Sequence, residues 1–441
     1  MTSADEERFP TPASCTVATV GDAMSLPAEV VPRLAFLLLT AVLCPFAPAQ
    51  DTLSDAVEGW LSIVADDEAA AALDALLARE DATPGALHDA LTTPRPTLTG
   101  PRRIFVPHAG DDLAVDIRVP EGRADGQVLP VLFVINWSSP PLDQAVREHV
   151  IQAEVSGFTP EQFSDRGRDA HLKILRTVCY EAGGDPDSLW FTGYSWGGHA
   201  CWDDALHRPG VVRGFIGRGG GPLRQVFRLF PNLAGVRVLA VCGAKDDPEL
   251  VWNLQEVSRR AKRAGFDYTY WEAPDNGHDQ PLPGEFDAGE ALVQTAGYDD
   301  VPMKGTLVAD APFVEHPLLR ILDVNSRAVA LPKRVRVPPR ATPDEQRRAV
   351  IDAMDGVATI DWSITTRGAK KTLTCKADGV RAAQVFLRAP WFSRGDEVVV
   401  KVGRKVVFDD VLEIDPRALL EEARRTGDRQ RPVLRRVDID V

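Results

Sequence analysis

The sequence lacks the marks of several large protein classes. Its 441 residues carry 50 Lys and Arg against 64 Asp and Glu, a formal net charge of -14. No Lys/Arg stripe stands out, which argues against nucleic acid or an anionic membrane surface as a partner. Cysteines number six, with neither metal-ligand nor disulfide-framework spacing. No His/Cys/Asp cluster sits at ligand spacing, so no metal and no organic cofactor is implied. Internal repeats and low-complexity tracts are missing, which excludes repeat architectures. The one long apolar run, residues 34–44, is too short to span a bilayer.

What is present starts with that run. Arg33 precedes it, and Ala47-Pro48-Ala49 before Gln50 supplies a small-x-small cleavage site. This order of parts is that of a secretory signal peptide over residues 1–49, not of an ordinary buried helix. The expected product is secreted or periplasmic and keeps no membrane anchor after cleavage. The long acidic stretch ahead of the run makes Met24 an alternative start, and Leu43 before Cys44 argues against a lipoprotein anchor. Of the cysteines left in the mature chain, Cys179, Cys201, Cys242 and Cys375 read as buried thiols. A Cys179–Cys201 bridge stays open as the alternative.

Beyond the leader the pattern changes along the chain. Leu53, Val57, Trp60, Leu61 and Val64, then Leu73, Leu76 and Leu77, recur at helical spacing. Residues 50–97 therefore read as a helical arm packed on the main domain. Residues 98–297 alternate strand and helix. A hairpin joins Arg103–Pro107 to Leu113–Val119, and Val131–Ile135 is apolar enough for a central parallel strand. Helical patterns are expected near 142–155 and 166–182, strands at Val212–Gly217, Val236–Cys242 and Tyr268–Trp271, and a helix over 248–264. This alternation predicts a doubly wound, mostly parallel α/β sheet with its site at the strand C-termini. Residues 298–340 read as an irregular segment and linker. Residues 341–441 read as a small β-rich accessory domain, for which plain packing is the better expectation than sugar or surface binding.

The chemistry concentrates at Gly193-Tyr194-Ser195-Trp196-Gly197-Gly198. An apolar strand precedes it and a helical pattern follows, the setting of a nucleophile elbow. The turn is tight enough that the flanking positions must be glycine, and the helix N-terminus offers the Trp196 N–H to an oxyanion. A serine hydroxyl needs a base, and the base an orienting carboxylate. The chain supplies Asp246 and then His278, each after a predicted strand. His199, one helical turn past Ser195, reads as a packing residue, and His316 is the second choice of base. Asp246 could instead cap the helix at Pro248, but Asp247 fits that role better.

From about Leu129 to Asp279, a third of the chain, the sequence resembles the secreted esterases of the α/β-hydrolase superfamily. That group includes polyhydroxybutyrate-depolymerase-like and dienelactone-hydrolase-like esterases and prolyl-oligopeptidase-type catalytic domains. The matching residues are Gly193 to Gly198, Gly243-Ala244-Lys245-Asp246-Asp247 and Asn276-Gly277-His278-Asp279. The resemblance implies Ser195 as nucleophile, Asp246 as orienter and His278 as base. Where the family ends its third strand in His-Gly, this chain has Asn136-Trp137-Ser138. The second oxyanion donor then falls to Trp137 or Ser138, and losing such a donor costs about 10²–10³ in rate. Trp137 and Trp196 are also candidate walls of a substrate pocket. The expected function is an exported serine hydrolase of small or polymer-linked carboxylic esters. The alternatives are a prolyl-oligopeptidase-type peptidase and a non-catalytic surface or glycan-binding protein on the same fold.

Overall fold

The computed structural model describes residues 52–94, 99–135, 148–155, 163–222, 224–278, 285–294 and 301–441. The leader, Met24, Cys15, Cys44, Asn136, Trp137, Ser138 and Asp279 lie outside the described residues. Residues 51–441 hold together as a single unit.

An eight-stranded sheet positions the site. Its strands are β1 (Gly100–His108), β2 (Asp111–Val119), β3 (Leu129–Ile135), β4 (Ile151–Val155), β5 (Gly184–Tyr194), β6 (Gly214–Arg218), β7 (Arg237–Gly243) and β8 (Tyr268–Ala273). They lie side by side in the order β1-β2-β4-β3-β5-β6-β7-β8. Strand β2 runs antiparallel to both neighbours, and β3 to β8 are mutually parallel. The β1–β2 hairpin turns on Ala109 and Gly110, both at positive φ (49° and 89°), the backbone a two-residue hairpin loop requires. Val131, Phe133 and Ile135 pack to one face of β3 and Leu132 to the other, all buried, as a strand covered on both faces must be.

The helices that follow these strands are α4 (Asp165–Ala182), α5 (Trp196–His207), α6 (Pro248–Ala264) and α7 (Glu285–Gln294); α1 (Leu53–Leu61), α2 (Asp66–Leu77) and α3 (Pro84–Thr92) come earlier in the chain. One expectation here is corrected. The helix proposed for 142–155 is not seen at 151–155, where β4 pairs with β2 on one side and β3 on the other. Five residues hydrogen-bonded along both edges override any local helical spacing. Cys179, Cys201, Cys242 and Cys375 are free and buried, so the Cys179–Cys201 bridge is not formed.

The rest of the chain builds two further sheets. One has the order β16-β15-β13-β12-β9 and the other β10-β11-β14-β17. Their strands are β9 (Lys304–Ala309), β10 (Glu315–His316), β11 (Leu319–Val324), β12 (Ala358–Arg367), β13 (Lys370–Asp378), β14 (Val380–Arg388), β15 (Glu397–Val402), β16 (Lys405–Val411) and β17 (Val433–Asp440). Helices α8 (Pro343–Ala353) and α9 (Pro416–Thr426) accompany them. Strands β9 to β11 correct the reading of 298–340 as irregular: β9 pairs with β12 and β11 with β14. Strands β10 and β11 also pair with each other, but β9 and β11 are held in their sheets by partners from beyond residue 357.

The helical arm is also corrected. Val57, Trp60, Leu73, Leu76, Leu87 and Leu91 join the core of the β-rich sheets, with Leu373, Leu387 and Leu419. Arg429 locks this arrangement, its guanidinium donating to both carboxylate oxygens of Glu58 (3.0 and 2.6 Å) and to the Leu91 carbonyl. The β-rich part in turn abuts α4. Gly427, the C-cap of α9 at φ +72°, leaves no room for a Cβ, with Thr177 Oγ1 2.6 Å and the Lys173 carbonyl 2.7 Å from that position.

Candidate active site

Ser195 joins the C-terminus of β5 to the N-terminus of α5, with φ 54° and ψ -116°. A residue with a Cβ in that region costs about 1–3 kcal/mol and persists only where its surroundings enforce it. The enforcement is steric and local. A Cβ on Gly193 would lie 2.4 Å from the Gly197 carbonyl carbon and 2.8 Å from the Ile135 carbonyl oxygen. On Gly198 it would lie 2.6 Å from the Arg218 carbonyl, and on Gly220 2.7 Å from that of Ser195. The amide of Ser195 donates to the Arg218 carbonyl at 2.8 Å. Three glycines thus let β5, β6 and the start of α5 crowd together, and the serine stands at the crossing.

The chain then brings the other two residues to it. His278, on the loop after β8, has Nε2 3.0 Å from Ser195 Oγ. Its Nδ1 lies 2.8 Å from Asp246 Oδ2 and 3.0 Å from Oδ1. Asp246 follows β7 and its side chain is 5 % exposed, against 46 % for His278. The carboxylate also accepts from the Asp247 amide at 2.7 Å, and the Cys242 thiol lies 3.6 Å from Oδ2. Burial, then the charge of Asp246, pushes that thiol well up, so it stays protonated and able to donate. Asp247 does the capping, accepting from the Glu249 and Leu250 amides at 2.8 and 3.2 Å. Of the two neighbouring aspartates, Asp246 faces the imidazole and Asp247 caps the helix.

The remaining candidates separate. His199 has Nδ1 at 2.6 Å from the Gly221 carbonyl, and burial lowers its pKa. Its ring braces the glycine loop after β6, and only its backbone amide bonds to Ser195, donating to the carbonyl at 3.0 Å, while the hydroxyl faces His278. His316 lies on β10 between the rings of Trp362 and Trp391 (5.1 and 6.0 Å), in the β-rich part of the molecule. Trp196 opens α5, so its amide has no partner within the helix. Its indole is 54 % exposed and touches the Phe163 ring at 5.7 Å.

Three contributors escaped sequence reasoning. The Tyr194 hydroxyl donates to the His278 carbonyl, and the two rings lie 5.1 Å apart. Phe163 widens the aromatic wall at Trp196, and Cys242 braces Asp246. Only Tyr194 carried a signal, its place inside the elbow. A pocket of about 270 Å³ opens beside the imidazole, with His199, Asp247, Leu250 and Asn253 among its walls. Among the described residues no group of three or more His, Cys, Asp or Glu side chains could hold a metal ion.

A sheet in this strand order, with a strained serine between β5 and its helix, is the α/β-hydrolase fold. No protein-family profile matches the sequence, and no curated protein matches it. Solved structures do. The chain is similar to Porphyromonas gingivalis dipeptidyl peptidase 4, with 12% identity over 44% of this chain and 35% of that one, at a TM-score of 0.37. It is similar to a Klebsiella pneumoniae protein designated a dienelactone hydrolase, with 18% identity over 44% of this chain and 98% of that one, at a TM-score of 0.33. A Mycobacterium tuberculosis puromycin-hydrolyzing peptidase gives 15% identity over 46% and 40%, at a TM-score of 0.39. The chain therefore spans under half the length of both peptidases.

Proposed function

We propose that the chain is an exported serine hydrolase that cleaves carboxylic esters through an acyl-enzyme. One observation carries this reading: the unbroken run from Ser195 Oγ through His278 to Asp246, at 3.0 and 2.8 Å, hung on a strained elbow. Ser195 Oγ attacks the ester carbonyl carbon while His278 Nε2 takes the hydroxyl proton. Asp246 accepts from Nδ1–H, fixing the tautomer and favouring the imidazolium that forms. The Trp196 amide, at the positive end of α5, stabilises the oxyanion. The imidazolium then protonates the leaving alcohol, and a water activated by the same imidazole releases the acid. A solvent-facing imidazole with an aromatic pair, Trp196 and Phe163, beside the serine suits a small aryl or apolar acyl group.

Amide cleavage needs an extended chain held in place as a poor leaving amine is protonated. No domain other than the helices and the β-rich part accompanies the sheet among the described residues. Turnover of aromatic or short-chain p-nitrophenyl esters is expected, with prolyl-peptide anilides cleaved poorly. Comparing kcat/KM for both substrates on a single preparation tests this, and a higher value on the anilide overturns the esterase reading. Export is tested apart from catalysis. Sequencing the N-terminus of protein from its native host should begin near Gln50, and an intact residue 1–40 segment on a cytosolic product refutes it.

A further inference from the structure

A second cavity lies at the opposite end of the eight-stranded sheet from Ser195. It has a volume of about 440 Å³ and runs between the start of β5, the segment ahead of β6 and the two β-rich sheets. Leu189, in its wall, precedes Ser195 by six residues of the same strand, roughly 20 Å at about 3.3 Å per residue. The cavity is therefore no extension of the site above.

Its charge is unbalanced. Arg176, Arg388 and Asp428 line it and are 6%, 4% and 9% exposed. Both guanidiniums lean on the one carboxylate, Arg388 through a direct hydrogen bond and Arg176 with Nε 3.5 Å away. Two cations thus share one anion out of water, and among the described residues Arg176 Nη1 and Arg388 Nε have no hydrogen-bond partner. A buried charge left without full compensation is strongly unfavourable. Burial lowers the Arg176 pKa only to about 10, so the group stays charged at neutral pH. The other wall is aromatic, with Trp362 and Trp391 flanking His316. Burial holds His316 near 3 and therefore neutral. The Leu318 amide donates to its Nδ1 at 3.2 Å, which leaves Nε2 to carry the proton as a further donor. Lys304 stands exposed on the same lining.

We infer that this cavity is a second binding site, for a small carboxylate borne on an aromatic body. The carboxylate answers the excess positive charge of Arg176, Arg388 and Lys304 on the lining, and the aromatic body lies along Trp362 and Trp391. A neutral amide of the same shape lacks the charge, and a protonated arylmethylamine carries the wrong one.

Calorimetric titration of the full chain carrying Ser195→Ala separates this site from the first. 2-Naphthoate should bind, and 2-naphthamide should bind about tenfold more weakly or not at all, the loss expected when a charged acceptor becomes neutral. Arg176→Met should weaken naphthoate about tenfold. Lys304→Glu, on an exposed strand position that tolerates exchange, should weaken it severalfold and keeps the test decisive if the arginine variant does not fold. His278→Ala, at the other end of the sheet, should leave binding unchanged. No heat with naphthoate, equal affinity for the amide, or loss of binding in His278→Ala alone each overturns the inference.

Discussion

In the α/β sheet the central strands are buried on both faces, so β3 reads as an unbroken apolar run from Val131 to Ile135. In the β-rich sheets a strand such as β12 buries Ala358, Ile360, Trp362 and Ile364 and turns the alternate residues away. The first region places functional groups at strand ends, where the backbone is held on both sides and a loop can carry one side chain. The second region spends its residues on a shared core, drawing helices from residue 53 onward onto strands that end at residue 440. One region is organised around the strained turn at Ser195 and the other around long-range packing. A polar group facing Ser195 at the strand ends of the first is therefore expected to govern rate, and a buried ion pair of the second to govern stability.

Exchanges chosen across that divide should behave differently. The largest effect is expected at Asp246→Asn, which leaves the shape intact but spoils the imidazole tautomer. A loss of kcat/KM of about 10³–10⁴ is expected, with thermal unfolding little changed. If Asp247→Asn proves the more damaging of the two, the division of roles between these neighbours is wrong.

Next comes Glu315, buried on β10 and held by both terminal nitrogens of Arg425 at 2.9 Å. Burial alone would raise its pKa, but Arg425, Arg208 and Arg320 bring it down from 4.5 to about 2. Because the folded value is the lower one, its contribution to stability is complete above pH 4.5 and fades as pH falls toward 2. Glu315→Gln should cost about 3 kcal/mol near neutral pH. Urea titrations should find that deficit shrinking near pH 3, with kcat/KM of the folded enzyme unaffected. A deficit that does not change with pH would remove the ion pair from the account. The smallest effect belongs to Asp247→Ala. It removes the α6 cap for about 1 kcal/mol, read from the urea midpoint, with the rate close to that of the parent.

How much of this was legible follows the same divide. The elbow, Asp246 and His278 stand next to one another in space because each ends a parallel strand, and each strand announces itself by local composition. The packing of Trp60 against the β-rich core leaves no such trace, since helical spacing says only that one face is buried and not against what. β9 and β11 were illegible for a related reason, their partners lying far along the chain. β4 misled in the other direction: five residues have too little length for periodicity to separate helix from strand. Cys242 and Phe163 reach the site only through the fold.

The central claim is that Ser195 is a nucleophile activated by His278. Treating the folded mature chain with a fluorophosphonate probe and locating the adduct by peptide mass spectrometry tests it most directly. The account predicts one adduct, on Ser195, lost in Ser195→Ala and slowed by orders of magnitude in His278→Ala. An unlabelled but folded parent chain, or an adduct that survives Ser195→Ala, would contradict it.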